Sequence, residues 1–320
     1  MTTDPRNSAR PPFAPNIRVA KINDYLLCFY DGRETAGYPD WIKVNIDMKL
    51  GLSCYVLFRG DKAIIFDTML YKEQMIWIDR YLRDMGIRTF SVINSHWDAD
   101  HIGGNALYRD CDIFSTDNTR WSIQMHAQAL KSGDIWKPSG DPDNPGIEEL
   151  VLPNRTFTGQ LTLWLEDIEI QLTEVFIHQL GSLVAYLPRD RILLAADACE
   201  DTCLFVNNGS EYYLPIQAQA YNRLLSLDIE RIYPIHGRFE VIDNGGYARD
   251  FLRAMQDYLN QLMLRLPKPD YLTADLESVI GPWIDKGILE IHEPYRWLHT
   301  HNVNMLHAYY KDRPIPGIVE

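Results

Sequence analysis

The sequence has no apolar run long enough to span a bilayer, and its start, MTTDPRNSARPPFAPN, lacks the apolar segment of a secretory leader. Cysteine is scarce as well. Five cysteines (Cys28, Cys54, Cys111, Cys199 and Cys203) are odd in number and scattered, which suits a reducing compartment better than a disulfide framework. The expected location is cytoplasmic. Positive charge is the third shortage: 31 Lys and Arg stand against 44 Asp and Glu, a net −13, with no basic cluster that reverses the sign locally. Such a surface repels a phosphate backbone and an anionic bilayer, so neither nucleic acid nor a membrane is expected as a partner. Internal repeats of fixed short period and low-complexity tracts are also missing.

What is present is an ordinary globular composition, 46% hydrophobic over 320 residues, enough for a core in one large domain or two small ones. Several strands are expected between Arg18 and Asp67, including LSCYVLFRG and KAIIFDTML joined as a hairpin by Gly60 and Asp61. Helical spacing follows in EQMIWIDRYLRDMG, with Gly86 as its terminating glycine. TFSVIN reads as a buried strand, a second helical segment follows, and KPSGDPDNPG reads as an exposed loop. Strands resume with LTLWLEDIEIQLTEVFI, SLVAYLP, RILLAADA and IERIYPI; YARDFLRAMQDYLNQLMLRL reads as a helix and the last fifty or so residues as mainly helical. This order fits a sheet sandwich with outer helices better than a strictly alternating parallel sheet.

Directly after TFSVIN, the stretch SHWDADHIGGN puts His96, Asp98, Asp100 and His101 into six residues. His96 and Asp98, two apart, can leave a strand end on one side, while Asp100 and His101, past a turn, can serve a second position. Four donors so spaced can hold two neighbouring cations, and Gly103 and Gly104 let the backbone turn tightly beside them. A surface loop of polar residues is the plain alternative. Three further ligand-type residues each end an apolar strand: His178 after TEVFI, Asp197 after ILLAA and His236 after IYPI. Rigid strands aim the side chains of their following loops at a common point, which makes a shared site the better reading.

The set HWDADH, HQLGS, AADA and IHG, in that order, resembles the metallo-β-lactamase superfamily, whose signature is H-x-H-x-D-H followed by a distant His, Asp and His. The resemblance runs from about Ile17 to Leu266, and FDT at Asp67 is similar to the family's strand-end aspartate. It implies an α+β fold, a four-layer αββα sandwich, with residues 1–16 as a flexible lead-in, 17–266 as the domain and 267–320 as a helical C-terminal extension packing on it. It also implies two divalent metal ions, Zn or Fe with Mn as a further option. His96, Asp98 and His178 would hold the first, Asp100, His101 and His236 the second, and Asp197 would bridge them. Asp67 would orient a ligand, with turn capping as its other reading. The sequence departs from the signature at Asp98, where the second histidine should stand. A carboxylate there favours Fe or Mn over Zn, and is reminiscent of the flavodiiron proteins, which carry a glutamate at that position.

Two chemistries follow from the resemblance. In a hydrolase, the metals lower the pKa of a water held between them and polarise the bond to be attacked, an ester, lactone, thioester or similar bond, with Asp100 or Asp197 assisting proton transfer. In a di-iron oxidoreductase, the pair binds O2 or NO, or oxidises a bound substrate, and needs a separate reductase because no flavodoxin-like segment is present. Hydrolysis is the preferred reading, and a binding or regulatory protein with a vestigial site is a third. The acidic composition and aromatic content point to a small organic substrate. Trp121, Met125, His126 and Trp136 are expected to pack in the core, with a lid or pocket wall as the alternative; Cys199 and Cys203 are read as small buried hydrophobes. His299, His301 and His307 do not share the helical spacing of a chelate, whereas Trp297, His301 and Met305 form an i,i+4 stripe expected to pack the last helix on the domain or to serve a homodimer.

Overall fold

The computed structural model of the chain describes residues 16–135, 145–206, 214–265, 268 and 274–311. The lead-in before Asn16, Trp136 and most of the KPSGDPDNPG loop lie outside the described residues. The chain divides into two compact units, Met1–Gln171 and Leu172–Glu320.

The first unit holds β1 (Arg18–Lys21), β2 (Leu26–Asp31), α1 (Asp40–Val44), α2 (Ile46–Leu50), β3 (Leu52–Arg59), β4 (Lys62–Phe66), α3 (Lys72–Asp84), β5 (Thr89–Ile93), α4 (Ala99–Ile102), β6 (Asp112–Thr116), α5 (Asp117–Met125), α6 (Ala127–Ser132), β7 (Arg155–Phe157) and β8 (Gln160–Leu165). β1 to β7 form one sheet in sequence order. The pairs from β1 to β4 are antiparallel and those from β4 to β7 are parallel. As expected, β3 and β4 form a hairpin in which Arg59 faces Lys62, and Gly60 takes the positive φ of +60° that the tight turn demands. α3 lays its apolar side on this sheet, where Phe29 of β2 meets Tyr81 edge-on at 5.3 Å and Trp77 at 6.3 Å. The helix ends as its glycine foretold: Gly86 has φ +99°, its N–H reaches Arg83 O at 3.0 Å, and Ile87 N reaches Leu82 O at 3.1 Å.

Two short helices, α1 and α2, stand where only strands were expected. A local cap outweighs strand propensity at α2, where the Asn45 side chain accepts the Met48 N–H at 3.0 Å; α1 follows Pro39 with no side-chain cap.

The boundary between the units falls inside β9 (Ile168–Glu174). The second unit then holds β10 (Leu183–Leu187), β11 (Ile192–Ala196), α7 (Leu214–Leu225), β12 (Arg231–Pro234), α8 (Phe239–Asp243), β13 (Tyr247–Ala248), α9 (Asp250–Arg265), α10 (Leu276–Asp285) and α11 (Pro294–Tyr310). The second sheet runs β13-β12-β11-β10-β9-β8. β10 and β11 are buried along their whole length, which explains their unbroken apolar sequences LVAYL and ILLAA. β11 pairs with β12 in parallel, with α7 as the connection, and its register shifts between Leu194 and Ala196, just before Asp197. Tyr247 and Ala248, expected to open a helix, pair instead with Ile232 and Arg231. Gly245 and Gly246, at φ +102° and +78°, turn the chain back along β12, and the helix starts only at Asp250. α9 packs against α7, and Gln256 donates to Ala218 O at 2.8 Å.

Candidate functional site

In the first unit, the loop after β5 carries His96 and Asp98, and the single turn of α4 carries Asp100 and His101. The turn is fixed from below by amides. Asn94 donates to His101 O at 3.1 Å, Thr68 N reaches the same oxygen at 2.9 Å, and Asn105 donates to Asn94 Oδ1 at 2.9 Å. Gly103 and Gly104 serve this packing and not a special turn, since both have ordinary negative φ. A Cβ on Gly103 would lie 2.0 Å from Leu70 O, so only glycine lets the two backbones approach.

Beneath the ligand-type residues lies Asp67, buried and held at φ +63°. Its carboxylate accepts from Ser95 N and Ser95 Oγ, both at 2.7 Å, and from His101 Nδ1 at 2.9 Å. A carboxylate only accepts, so the His101 proton sits on Nδ1 and Nε2 keeps its lone pair. Ser95 Oγ spends its proton on Asp67 and can therefore only accept from His96 Nδ1, 2.9 Å away, which leaves the His96 Nε2 lone pair exposed in the same way. His96 Nε2 faces Asp98 Oδ2 at 3.3 Å, and His101 Nε2 faces Asp100 Oδ2 at 3.2 Å. The Asp98 side chain is 21% exposed, whereas the other three are buried.

In the second unit, His178 follows β9, Asp197 follows β11 directly, and His236 follows β12. His178 is held in the left-handed region, φ +66°, by its N–H to Gln217 Oε1 of α7 at 2.9 Å. Its Nδ1 donates to Phe205 O at 3.0 Å, which again fixes the tautomer with Nε2 unprotonated. His178 Nε2 and His236 Nε2 lie 3.6 and 3.4 Å from Asp197 Oδ2. Glu200, fully buried three residues later, belongs to the same cluster. Burial raises its pKa to about 7; His236 opposes the shift, Asp197 adds to it, and His178 opposes it. Its Oε1 accepts the Phe205 N–H at 3.0 Å.

A family model of the metallo-beta-lactamase superfamily matches residues 49–236, more than half of the chain. The chain belongs to this superfamily. A comparison with curated proteins gives no match. Among solved structures, a metallo-beta-lactamase from Pontibacter korlensis is similar with a TM-score of 0.53 at 16% identity, over 74% of this chain and 96% of that one. The corresponding figures for VMB-1 are 0.52, 16%, 75% and 95%, and for the DIM-1 metallo-beta-lactamase 0.50, 15%, 75% and 98%. At such identities the likeness shows the fold, the αββα sandwich with a helical C-terminal part, and leaves the substrate open. Members of the superfamily are typically metal-dependent hydrolases that bind divalent metals, usually zinc.

Sequence reasoning missed Ser95 and Glu200. Ser95 had a signal, a hydroxyl between an apolar strand and the first histidine; Glu200 had none beyond its nearness to Asp197. Of the expected core stripe, Trp121 and Met125 are instead 53% and 62% exposed. His126 stacks on Trp97 of the motif with ring centroids 4.1 Å apart. Cys199 and Cys203 are buried, and desolvation pushes both thiols well up, so they are inert hydrophobes as expected. His299 uses both ring nitrogens away from the cluster, on the Tyr258 hydroxyl and Ala274 O. Trp297 stacks on His301 at 5.4 Å, but this stripe is not the buried face of α11: Trp297 is 38% exposed, and the helix instead buries Tyr295, Leu298, His299, Asn302, Val303 and Leu306. Among the described residues, no helix is long and apolar enough to cross a membrane.

Proposed function

We propose that this protein is a two-metal hydrolase acting on an ester, lactone, thioester or similar bond of a small organic molecule. The observation that carries this reading is the tautomer control of His96, His101 and His178: each Nδ1 is engaged by an acceptor, and each Nε2 faces a carboxylate of its own unit within 3.6 Å. Neutral imidazole and carboxylate make a borderline-hard donor set suited to Zn, Fe or Mn. In this proposal His96, Asp98 and His178 hold one ion, Asp100, His101 and His236 the other, and Asp197 bridges. Divalent ions so held would supply Lewis acidity and an acidified water at neutral pH. The protein's own part is to orient the donors through Asp67, Ser95 and Phe205, and to take up a proton on Asp100 or Asp197. The net charge of −13 supports a small substrate over a nucleic acid, and five cysteines, odd in number and scattered, support a reducing, cytoplasmic location.

Asp98 favours a second reading, a di-iron oxidoreductase supplied by a separate reductase, because its carboxylate hardens the first position. Elemental analysis and the visible spectrum of protein expressed with Zn, Fe and Mn available decide between them. About two Zn per chain, no colour and turnover of a lactone, ester or thioester panel are expected. Two Fe with an oxygen-sensitive band would replace the hydrolase by the redox enzyme, and metal-free protein would sink both.

A further inference from the structure

We propose that Asn302, on the last helix, is a positioning residue for His178; the proposal rests on the metal-site reading above. The matched family region ends at residue 236, so α11 lies beyond it, yet its one fully buried amide reaches directly to the backbone that orients a ligand. Asn302 Nδ2 donates to Leu204 O at 2.7 Å, and Asn302 Oδ1 accepts from Val206 N at 2.9 Å. The side chain thus grips both neighbours of Phe205. Phe205 in turn touches the cluster with both of its peptide groups: its carbonyl takes the His178 Nδ1 proton at 3.0 Å, and its N–H reaches Glu200 Oε1 at 3.0 Å.

The grip is specific in orientation as well as place. Asn302 Nδ2 also donates to the Tyr258 hydroxyl at 3.0 Å, and that hydroxyl contacts His299 Nδ1 at 3.0 Å, whose Nε2 is 3.1 Å from Ala274 O. A carbonyl only accepts, so His299 carries its proton on Nε2, Tyr258 must donate to Nδ1, and Asn302 must donate to Tyr258. The amide therefore cannot flip, and its oxygen is committed to Val206. A second brace acts on the same loop: Thr202 Oγ1 donates to Glu290 O at 2.7 Å and accepts from His292 N at 3.2 Å. Without Asn302, a buried carbonyl and a buried N–H would need new partners, and the Phe205 carbonyl would lose the fixed direction that holds His178 Nε2 on target.

The test uses full-length protein: wild type, Asn302→Leu, the same-sized Asn302→Asp, His178→Ala and the Asn302→Leu/His178→Ala double variant. Zinc affinity is read by chelator competition and the His178 ring by 15N NMR of the metal-free protein. Asn302→Leu should leave two zinc equivalents but weaken one of them about 10- to 100-fold, and should shift the His178 Nδ1–H resonance or speed its exchange. Asn302→Asp, which keeps the acceptor for Val206 and loses the donor to Leu204, should act in the same direction if Asn302→Leu does not fold. In the His178→Ala background the Asn302 substitution should weaken zinc no further. Equal weakening of both ions, further weakening in the double variant, or an unchanged His178 resonance would overturn the proposal. A wild type that binds no Zn, Fe or Mn while Asn302→Leu still shifts the resonance would overturn the metal reading and leave the positioning role standing.

Discussion

Asp67→Asn is the sharpest probe of the site, because it changes one atom and its consequence can be followed bond by bond. The Asn oxygen can keep the Oδ1 place and go on accepting from Ser95 N at 2.7 Å. Its NH2 then stands where Oδ2 accepted from Ser95 Oγ and His101 Nδ1, at 2.7 and 2.9 Å. Ser95 Oγ can rotate to accept. His101 can stay hydrogen-bonded to residue 67 only by moving its proton to Nε2, the nitrogen that faces Asp100, 3.2 Å away; the Nδ1–H tautomer would keep only the longer contact to Ser95 Oγ, 3.3 Å. A protonated Nε2 cannot ligate a metal, so each binding event must first reverse that tautomer. The expected loss is about 10- to 100-fold in affinity for one of two ions, equivalent to roughly 1.4–2.7 kcal/mol. Replacing charge-assisted bonds in a buried place should also lower folding stability by about 1.5–3 kcal/mol. Chelator competition with zinc, run beside urea unfolding of the metal-free protein, separates the two effects. Wild-type affinity for both ions in a folded Asp67→Asn protein would refute the tautomer argument.

Asp98→His should move metal preference towards Zn when Zn, Fe and Mn compete during loading, and an unchanged preference would show that Asp98 binds no metal. Gly103→Ala places a methyl 2.0 Å from Leu70 O; it should cost about 1–3 kcal/mol, read as a lower Tm, and a wild-type Tm would remove the close-approach explanation. His299 is buried, and desolvation holds its pKa below the unfolded value of 6.5, with the Ala274 carbonyl opposing. The unfolded chain therefore takes up this proton first, so the contribution to stability is complete above about pH 6.5 and declines as pH falls towards the folded pKa. The Tm of metal-free protein should drop more steeply between pH 7 and 5 in wild type than in His299→Gln, and parallel curves would dismiss the effect.

Much of the fold was legible because local rules and tertiary structure agree. Gly60 marks a hairpin, Gly86 a helix end, and ILLAA a strand buried on both faces, each by a mechanism that needs only neighbouring residues. The ligand-type residues were visible for the same reason: strand periodicity ends where His178, Asp197 and His236 begin. Ser95 and Glu200 were harder, since a serine before a histidine or a glutamate after an aspartate becomes meaningful only when burial removes water from it. Asn302 was beyond reach. Its partner Leu204 is 98 residues away in sequence, and no periodicity connects an amide in a helix to a loop carbonyl. The exposed Trp121 and Met125 show the converse failure, where apolar spacing of i,i+4 announced a buried face that the fold leaves in water.

Backbone strain sorts the chain in a way that sequence could not. Arg33, Glu166 and Arg191 have positive φ in turns, where a polar residue tolerates it beside solvent. Asp67 and Ala196, at φ +63° and +46°, have it at the ends of β4 and β11, and His178, at +66°, in the loop after β9; the buried Met69, at +58°, stands outside both groups. Each such residue costs about 1–3 kcal/mol and survives only where its surroundings leave no alternative. Those surroundings are on view: Asp67 is fastened through Ser95 and His101, His178 through Gln217 and Phe205, and Ala196 through the Ile235 N–H at 3.2 Å. Glycine would relieve the strain at Ala196 and supplies no side chain at the other two, so the chain bears the cost at positions where a carboxylate and an imidazole are needed. At Asp67 the clamp and the tautomer control share a bond, His101 Nδ1 to the carboxylate, whereas at His178 two bonds divide the work, the backbone N–H to Gln217 Oε1 and Nδ1 to Phe205 O. Strain and protonation are therefore set side by side: the bonds around Asp67 direct His101 Nε2 towards Asp100, and the bond from His178 Nδ1 to Phe205 O, beside the backbone clamp to Gln217, directs His178 Nε2 towards Asp197.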